Sequence, residues 1–512
     1  MKARALLVWL SPLTLCACNF APDYAPPAIE VPVKFKEAKS WAQATPRDDA
    51  PRGPWWRGLN DKALNELEPQ VDVGNQNLAA HLAILDQARA YTAQAQAGLF
   101  PTVNLNNSYS ANKQSAHRPL RTSNRVPTAQ GYEEALIDGR PFNQPDHYGN
   151  NLLTLQSSYE VDLWGRVRDS IAAREAQILA SAADLESIRL SLQAELARTY
   201  IALRGLDAEI ALFDRVVENY RVALSLVKTL VQGNIGAPAD VPRAEAQLEV
   251  ARARRDDLMA RRAMYEHAIA TLIGKPASSF SIRPATAQLG QPTVPPSAPL
   301  SLLERRPDVA AAERRVAAAN QTIGVARAAF FPRLTINLSG GTQDTGLSLL
   351  NFKNSIWSVG PAVTLPIFDA GLRRAELAGA EAAYMQTVAE YRGAVLRAYQ
   401  EVEDSLANLR WLSKEAQSLS IAVASTQKVL DTTLTLYREG ATNYLDVITA
   451  QTAALDAQDA LVTLKTRRVQ AAVSLMLALG GGWSASLLEQ VDPTPPAPTM
   501  PLEQAGLFGD KL

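Results

Sequence analysis

Two stretches of this chain combine the length of a very long helix with a seven-residue repeat of apolar side chains. Residues 166–232 contain no proline and one interior glycine, Gly205. A helix of that length reaches roughly 100 Å at about 1.5 Å per residue. Its apolar positions form two parallel series: Leu196, Leu203, Ile210, Val217, Leu224 and Val231, and then Leu206, Phe213, Tyr220 and Val227. A seam sustained over about five heptads predicts left-handed supercoiling against a partner helix.

The same pattern returns in the second half of the chain, at 370–438. Its apolar series is Val402, Leu409, Ala416, Val423, Leu430 and Tyr437. A glycine-containing break follows each long stretch, at 233–238 and at 440–443, and a second helical stretch follows each break, at 239–273 and 444–479. The sequence therefore predicts two helical hairpins that are too extended to share one globular core.

Alternating apolar and polar residues precede each predicted hairpin. In TVNLNNSY, Val103, Leu105 and Tyr109 alternate with polar residues, and similar runs predict strands at ~101–112, ~150–163, ~332–342 and ~355–368. Runs of ~8–12 residues have the length of a tilted membrane strand with one apolar and one polar face. One such run also fits a soluble sheet. Two pairs of them inside an otherwise helical chain favour a membrane sheet.

The two halves of the chain repeat each other. Pro101 and Pro332 lie 231 residues apart (332 − 101), and on that offset Asn106 falls on Asn337. The order helix, strand, strand, long helix, break, helix occurs twice. We therefore predict a duplicated half, with a first repeat over 59–273 and a second over 302–480, joined by a connection at 274–301.

The ends of the chain predict export. Lys2 and Arg4 precede the apolar run 5–15, which is typical of a signal peptide over 1–17 and too short for a spanning helix of ~20 residues. The proline-rich residues 18–58 predict an extended tether, and 481–512 a C-terminal tail.

Composition excludes several function classes. The cysteines are Cys16 and Cys18, and the four histidines are scattered without ligand spacing, so we expect no disulfide and no metal site in the mature chain. Lysines plus arginines number 51 and acids 52, which leaves no basic footprint for nucleic acid. No HExxH, GxSxG or complete phosphate loop is present, and we predict that the protein is not an enzyme and needs no cofactor.

Four strands cannot close into a membrane barrel, because the smallest outer-membrane barrels use eight strands and an open sheet edge is not stable in hydrocarbon. Several chains must therefore pool their strands.

The chain resembles the outer-membrane factor family of TolC-like channels, and most of all its lipoprotein branch that serves resistance–nodulation–division efflux pumps. The motifs that carry the resemblance are CNFAPDYAPP (18–27), LFPTV (99–103), YEVDLWGRVR (159–168), LIGKP (272–276), ERRPDVAAAE (304–313), FFPRL (330–334), LPIFDAG (365–371), LYREGATNYLDVITAQ (436–451) and LALGGGW (477–483). The resemblance implies a mainly α protein with membrane β: a homotrimer with a twelve-stranded β-barrel, continued by a twelve-helix periplasmic α-barrel.

The resemblance also implies how the channel is anchored and used. Leu15-Cys16-Ala17-Cys18 is similar to a lipobox, so Cys18 would carry diacylglycerol and an N-acyl chain, and Asn19 implies outer-membrane sorting. An ordinary signal peptide cut nearby is the alternative. The implied function is passive efflux of small molecules, with a periplasmic adaptor and an inner-membrane pump as partners. A duct for exported polypeptides or metal, or a coiled-coil scaffold without a pore, remains an alternative.

By the same resemblance, the segment GATNYLDVITA (440–450) matches the stretch that narrows such a tube at its periplasmic end. Leu445 falls on an apolar ring, and Asp446 and Thr449 fall on two positions where relatives carry acids. Thr442 replaces a basic latch residue, and Tyr437 is a candidate latch to the neighbouring hairpin. The alternative is that Asp446 only caps the returning helix.

Overall fold

The structure is a computed structural model. It describes residues 19–29, 32, 35–37, 54–113, 125–128, 131–134, 136–137, 140–141, 147–286, 289–290, 306–346 and 351–496, with the backbone alone between 125 and 141. Cys18, the predicted leader and the end of the predicted tail lie outside these residues. The chain divides into two compact units, which are taken in turn: unit 1 comprises the described residues of 1–24, 91–174 and 319–383, and unit 2 the remainder.

Helices make up most of the described chain. Their bounds are α1 Lys62–Gly74, α2 Gln76–Gln96, α3 Arg166–Gln232, α4 Asp240–Leu272, α5 Pro307–Ala328, α6 Leu372–Arg438 and α7 Tyr444–Ala478. The predicted long helices are therefore confirmed as α3 and α6. Among the described residues, no helix has the length and apolar character needed to cross a membrane.

In unit 2, α3 buries its heptad seam against α4 and the second hairpin. Leu206 and Phe213 cluster with Leu258 of α4, and further along α3 Tyr220 clusters with Leu248. Each fully buried side chain of this size contributes roughly 1.5–3 kcal/mol. The seam predicted from the heptads is thus the line along which the first hairpin closes.

Close packing between the hairpins explains the one interior glycine of α3. A Cβ atom on Gly205 would lie 2.4 Å from Oγ1 of Thr466 in α7. A side chain there would collide with Thr466, so the glycine lets α3 and α7 approach closely at this point.

Unit 1 contains a four-stranded antiparallel sheet. Its strands are β1 Thr102–Lys113, β6 His147–Val161, β7 Arg333–Asp344 and β8 Ser355–Thr364, in the order β1-β6-β7-β8. Each repeat contributes two neighbouring strands, and the β6–β7 pairing joins the repeats. We call the end of the sheet where β6 ends and β7 begins its foot.

Two details of the predicted strands were wrong. The strand predicted to reach residue 368 ends at Thr364, which pairs with Arg333, the first residue of β7. The strand predicted to begin at ~150 begins at His147, and four short strands precede it: β2 Arg125–Thr128, β3 Gly131–Glu134, β4 Leu136–Ile137 and β5 Arg140–Pro141. These pair two by two, and prolines are tolerated in such edge positions.

An aspartate stabilises each transition from strand to long helix. In the first repeat the Asp162 carboxylate accepts hydrogen bonds from the backbone N–H groups of Val167 and Arg168, at 3.2 and 3.0 Å. In the second repeat Asp369 accepts from the N–H of Gly371 at 3.0 Å and from the Arg373 side chain at 2.7 Å. Both carboxylates satisfy N–H groups that have no partner at a helix start.

Candidate functional site

One face of the unit 1 sheet is apolar and exposed. Register places Leu105 opposite Leu155, and Leu338 opposite Val359. Trp357, on the same face, is 80% exposed, and Leu105 is 71% exposed. A continuous exposed apolar face of this kind marks contact with a membrane or with another protein.

The opposite face of the sheet is polar. Asn104 lies opposite Gln156, and Ser158 opposite Asn337. The Ser158 hydroxyl donates a hydrogen bond of 2.9 Å to Oδ1 of Asn337. These side chains line a shallow cavity of about 310 Å³ with Ser339 and Ser358. The sheet is therefore amphipathic, with mainly polar side chains on this face and mainly apolar ones on the other.

Both edges of this sheet lack a further partner strand in the described chain. The order β1-β6-β7-β8 leaves β1 and β8 each paired on one side alone. Their outer N–H and C=O groups are free to pair with another strand. A single chain thus presents an open sheet whose apolar face is exposed.

In unit 2, the second hairpin turns between α6 and α7 through a short hydrogen-bonded loop. Gly440 adopts φ +73°, and the Ala441 N–H donates to the Leu436 carbonyl at 2.8 Å. Helix α6 therefore ends with a residue in the left-handed backbone conformation, which glycine adopts without strain. Asn443 then begins α7 as its N-cap: its Oδ1 accepts from the N–H of Asp446 at 3.0 Å.

The alternative that Asp446 is the capping residue of α7 is wrong, because Asn443 holds that position. Asp446 lies in the first turn, where a carboxylate is favoured by the helix dipole. Its Oδ2 accepts a hydrogen bond from the Thr442 hydroxyl. The carboxylate is exposed and tied to the turn, so its position is fixed without being buried.

The candidate constriction residues lie on the exposed face of α7. Leu445 is 54% exposed. Thr449 is one turn further along, and its hydroxyl donates to the Leu445 carbonyl at 2.9 Å. Tyr444 and Val447, on the opposite face, are buried. The structure therefore brings Leu445, Asp446 and Thr449 together on one surface next to the turn.

Tyr437 belongs instead to the buried side of the same turn. It clusters with Tyr444 and Val447 of its own hairpin, and with Val227 and Ala244 of the first hairpin. The candidate latch thus contacts the neighbouring hairpin within one chain.

Burial has a chemical consequence for the two tyrosines of this cluster. Burial raises the pKa of Tyr444 to about 12, with Tyr437, Tyr220 and Asp240 adding to the effect. Burial and the nearby Asp240 carboxylate likewise raise the pKa of Tyr437. A phenol is already neutral near pH 7, and the raised pKa keeps both tyrosines neutral at higher pH as well, so they act through packing.

The role of Asn443 was missed from the sequence, although a signal was present. Asn443 precedes an apolar run and has an acid three residues later, which is a helix-start pattern. Among the described residues, no three His, Cys, Asp or Glu side chains are grouped so that they could hold a metal ion.

An amphipathic sheet that continues into long helical hairpins defines the protomer of an outer-membrane channel. The family model for outer membrane efflux proteins matches residues 69–275 and 298–481, which is most of the chain. The chain belongs to this family.

Curated relatives and solved structures agree with the family. The outer membrane protein OprJ of Pseudomonas aeruginosa is 31% identical over 92% of this chain and 94% of its own length. The structure of the outer-membrane channel OprN is similar with a TM-score of 0.80, at 29% identity, over 91% of this chain and 100% of OprN. VceC of Vibrio cholerae matches with a TM-score of 0.73, at 26% identity, over 85% of this chain and 100% of VceC.

Family membership confirms the main predictions about function. The protein is an outer-membrane efflux channel that extends into the periplasm, and it provides the exit duct of an efflux system. Members of this family are transport ducts, which confirms that the protein is not an enzyme.

Proposed function

We propose that three copies of this chain form one closed channel, a twelve-stranded barrel in the outer membrane continued by a twelve-helix tube in the periplasm. The observation that carries the proposal is the open four-stranded sheet with an exposed apolar face. Both edge strands need partners before the sheet can lie in lipid. Pairing β8 of one copy with β1 of the next satisfies both edges at once.

The polar face of the pooled sheet would line the pore. Asn104, Gln156, Ser158 and Asn337 all project from that face, and hydroxyl and amide groups hold water rather than a specific ligand. A wide polar lumen of this kind conducts passively.

The cargo is then chosen elsewhere in the system. Three relatives of 27–29% identity are named for toluene efflux, solvent efflux and cation efflux, and each aligns with 94–95% of this chain. We infer that an inner-membrane pump of the resistance–nodulation–division type selects small molecules and supplies the energy. A periplasmic adaptor would connect that pump to the hairpin tips.

Leu445, Asp446 and Thr449 would form the constriction at the periplasmic end. Each residue would appear three times around the tube axis, giving an apolar ring next to an acidic one. The exposed face of α7 that bears them supports this arrangement, and Tyr437 would support it from behind by packing. Cys18 would carry the diacylglycerol and N-acyl chains that help to hold the assembly at the membrane.

Light scattering in detergent tests the assembly directly. The protein mass in the particle should correspond to three chains, and the same preparation should form pores in a planar bilayer. A monomeric particle would overturn the proposal.

The partner assignment is tested separately with photo-cross-linkers. One is placed at Ile235, which is 79% exposed at the first hairpin tip, and a matched one at Val73 of α1, which is 91% exposed. The tip position should capture the adaptor and the α1 position should not. The reverse result would show that the adaptor docks elsewhere.

A further inference from the structure

Asn19–Pro22, at the start of the described chain, lies against an aromatic platform in unit 1. The Phe20 ring stacks on Phe331, with centroids 4.4 Å apart and planes at 11°. Trp164 completes the platform, with its ring centroid 5.0 Å from that of Phe331 and 6.2 Å from that of Phe20. Stacked aromatic pairs of this kind add to the stability gained by burial alone.

The platform itself is fixed at the foot of the sheet. The Trp164 indole N–H donates a hydrogen bond of 2.7 Å to the carbonyl of Pro332. Trp164 follows the end of β6 and Phe331 precedes the start of β7, so the bond connects the two repeats. Aromatic side chains at a strand end are typical of the membrane–water interface.

Helix α5 holds the backbone of the same segment. The side-chain amide of Asn320, which is buried, donates to the Pro22 carbonyl at 2.7 Å. The Arg327 guanidinium donates to the Phe20 carbonyl at 3.4 Å. The two carbonyls on either side of Ala21 are thus both bound by one face of α5.

Gly324, between these two residues on the same helix face, leaves the space that the segment fills. A Cβ atom at Gly324 would lie 2.7 Å from the backbone N of Ala21 and would also meet the buried carboxyl of Asp169. The segment therefore lies directly on the helix backbone. Ring stacking, two hydrogen bonds to backbone carbonyls and the close approach at Gly324 together define a groove that binds the peptide segment.

We propose that this groove, formed by Trp164, Phe331 and the Asn320–Gly324–Arg327 face of α5, binds the chain's own Asn19–Pro22 and thereby directs the lipid anchor that precedes this segment to the foot of the sheet. The position of the lipid depends on the proposed acylation of Cys18. The binding of Asn19–Pro22 in the groove does not depend on it. Docking directs the anchor to the level of the aromatic platform, so the lipid and the sheet enter the same membrane region together.

The later part of the leading segment is also docked, on α6 in unit 2. The Glu403 carboxylate accepts from the N–H groups of Lys36 and Glu37, at 2.6 and 3.0 Å. Arg410 pairs with Glu37 at 2.9 Å, and Phe35 is buried. The segment expected to be a plain extended tether therefore makes specific contacts in each unit.

Photo-cross-linking from position 20 tests the groove. The full-length chain carries p-benzoylphenylalanine in place of Phe20, and mass spectrometry locates the linked residue. We expect links to Phe331, Trp164 and the end of α5. Gly324→Ala should reduce the yield at least fivefold. Gly379→Ala, in α6, should leave the yield unchanged, because a Cβ there meets nothing within 4 Å.

A second variant separates docking from folding. Ala21→Leu enlarges the segment itself and leaves helix α5 intact, so the channel should assemble and conduct normally while the cross-link yield falls. If Gly324→Ala and Ala21→Leu both kept the full yield, or if position 20 linked only to detergent and lipid, the groove would not exist. Neither result depends on whether three chains form the pore.

Discussion

The ring of Tyr437, in the last turn of α6, packs against the ring of Tyr444, the first residue of α7, with centroids 5.4 Å apart and planes at 52°. The two rings pack beneath the first turn of α7, which contains Leu445 and Asp446. Tyr437 also contacts the first hairpin through Val227 and Ala244. Packing at this point therefore connects both hairpins to the candidate constriction.

Tyr437→Ala should loosen the second hairpin tip. Removing a buried aromatic ring costs on the order of 3 kcal/mol locally. We expect faster proteolysis between residues 439 and 443 and a higher single-channel conductance. Tyr437→Phe keeps the ring and should behave like the wild type. Equal proteolysis of the alanine variant and the wild type would show that the packing does not restrain the tip.

A buried ionic network should make Asp207 the most sensitive charged residue tested in α3. Its carboxylate accepts from Arg204 at 2.9 Å, from Arg262 at 2.6 Å and from the Ala285 N–H at 3.0 Å. Asp207→Ala leaves two largely buried guanidinium groups short of a partner, which costs about 3–5 kcal/mol. The expected result is a clear fall in the thermal midpoint in detergent.

The matched control lies on the same helix. Glu218 pairs with Arg221, and both side chains are more than half exposed. Water replaces such a pair readily, so Glu218→Ala should leave the midpoint unchanged. Equal effects of the two variants would contradict the special role of the buried network.

Glu68 should make the stability of unit 2 depend on pH. The residue is 0% exposed, and neither carboxyl oxygen has a hydrogen-bond partner among the described residues. Burial, with Asp72 adding to it, raises its pKa to about 9. The folded state therefore binds the proton more tightly than the unfolded state, so this contribution is fully present below the unfolded pKa and is lost as pH rises toward 9.

Glu68→Gln should remove that dependence, because glutamine is neutral at every pH. Each pH unit within the window from the ordinary pKa of 4.5 to about 9 changes the contribution by about 1.4 kcal/mol. The thermal midpoint of the variant minus that of the wild type should therefore be larger at pH 8 than at pH 5.5. Glu66→Gln, on the exposed side of the same helix, should retain the wild-type profile. Parallel profiles for Glu68→Gln and the wild type would refute the neutral buried acid.

Periodicity was sufficient to predict the long helices and the strands of the four-stranded sheet. The heptads that include Leu206 and Phe213 predicted the buried seam of α3, and the alternation around Leu105 predicted the apolar face of the sheet. These features repeat within short windows, so sequence neighbours alone reveal them. The duplication of the two halves of the sequence also predicted the order of the helices and strands.

Contacts between distant residues could not be predicted in this way. Asp207 meets Ala285 across 78 residues, and Asn320 meets Pro22 across 298. Helical spacing puts Glu68 on the same face as Leu64 and Val71, but an acid in a helix is usually solvated, so the spacing alone does not predict a buried carboxyl group without a partner. Such contacts depend on how elements pack, which local periodicity does not specify.

Leu445→Ala tests the apolar ring of the proposed constriction. Leu445 is exposed in the single chain, so shortening it removes little buried surface and should leave the thermal midpoint close to that of the wild type. In a closed tube, three shorter side chains widen the mouth, and the planar-bilayer conductance should rise severalfold. Leu487→Ala, a similarly exposed leucine near the C-terminal end of the described chain, should leave the conductance unchanged. Equal conductance of Leu445→Ala and the wild type would remove Leu445 from the constriction.

Asp446 and Asn443 can be separated by experiment, since the structure gives them different tasks. Asn443 caps α7, so Asn443→Ala should cost about 1 kcal/mol and lower the resistance of the tip to proteolysis, without changing block by divalent cations.

Asp446 is exposed and bound to Thr442, so Asp446→Asn preserves the shape of the turn and removes the charge. Three converging carboxylates should bind Mg²⁺ or Ca²⁺, and their removal should weaken cation block at least tenfold in planar bilayers at low salt. High salt should reduce the difference between Asp446→Asn and the wild type, because it screens exposed charges. If Asn443→Ala weakened the block as much as Asp446→Asn, the geometry of the turn would account for the block, and an acidic ring would not.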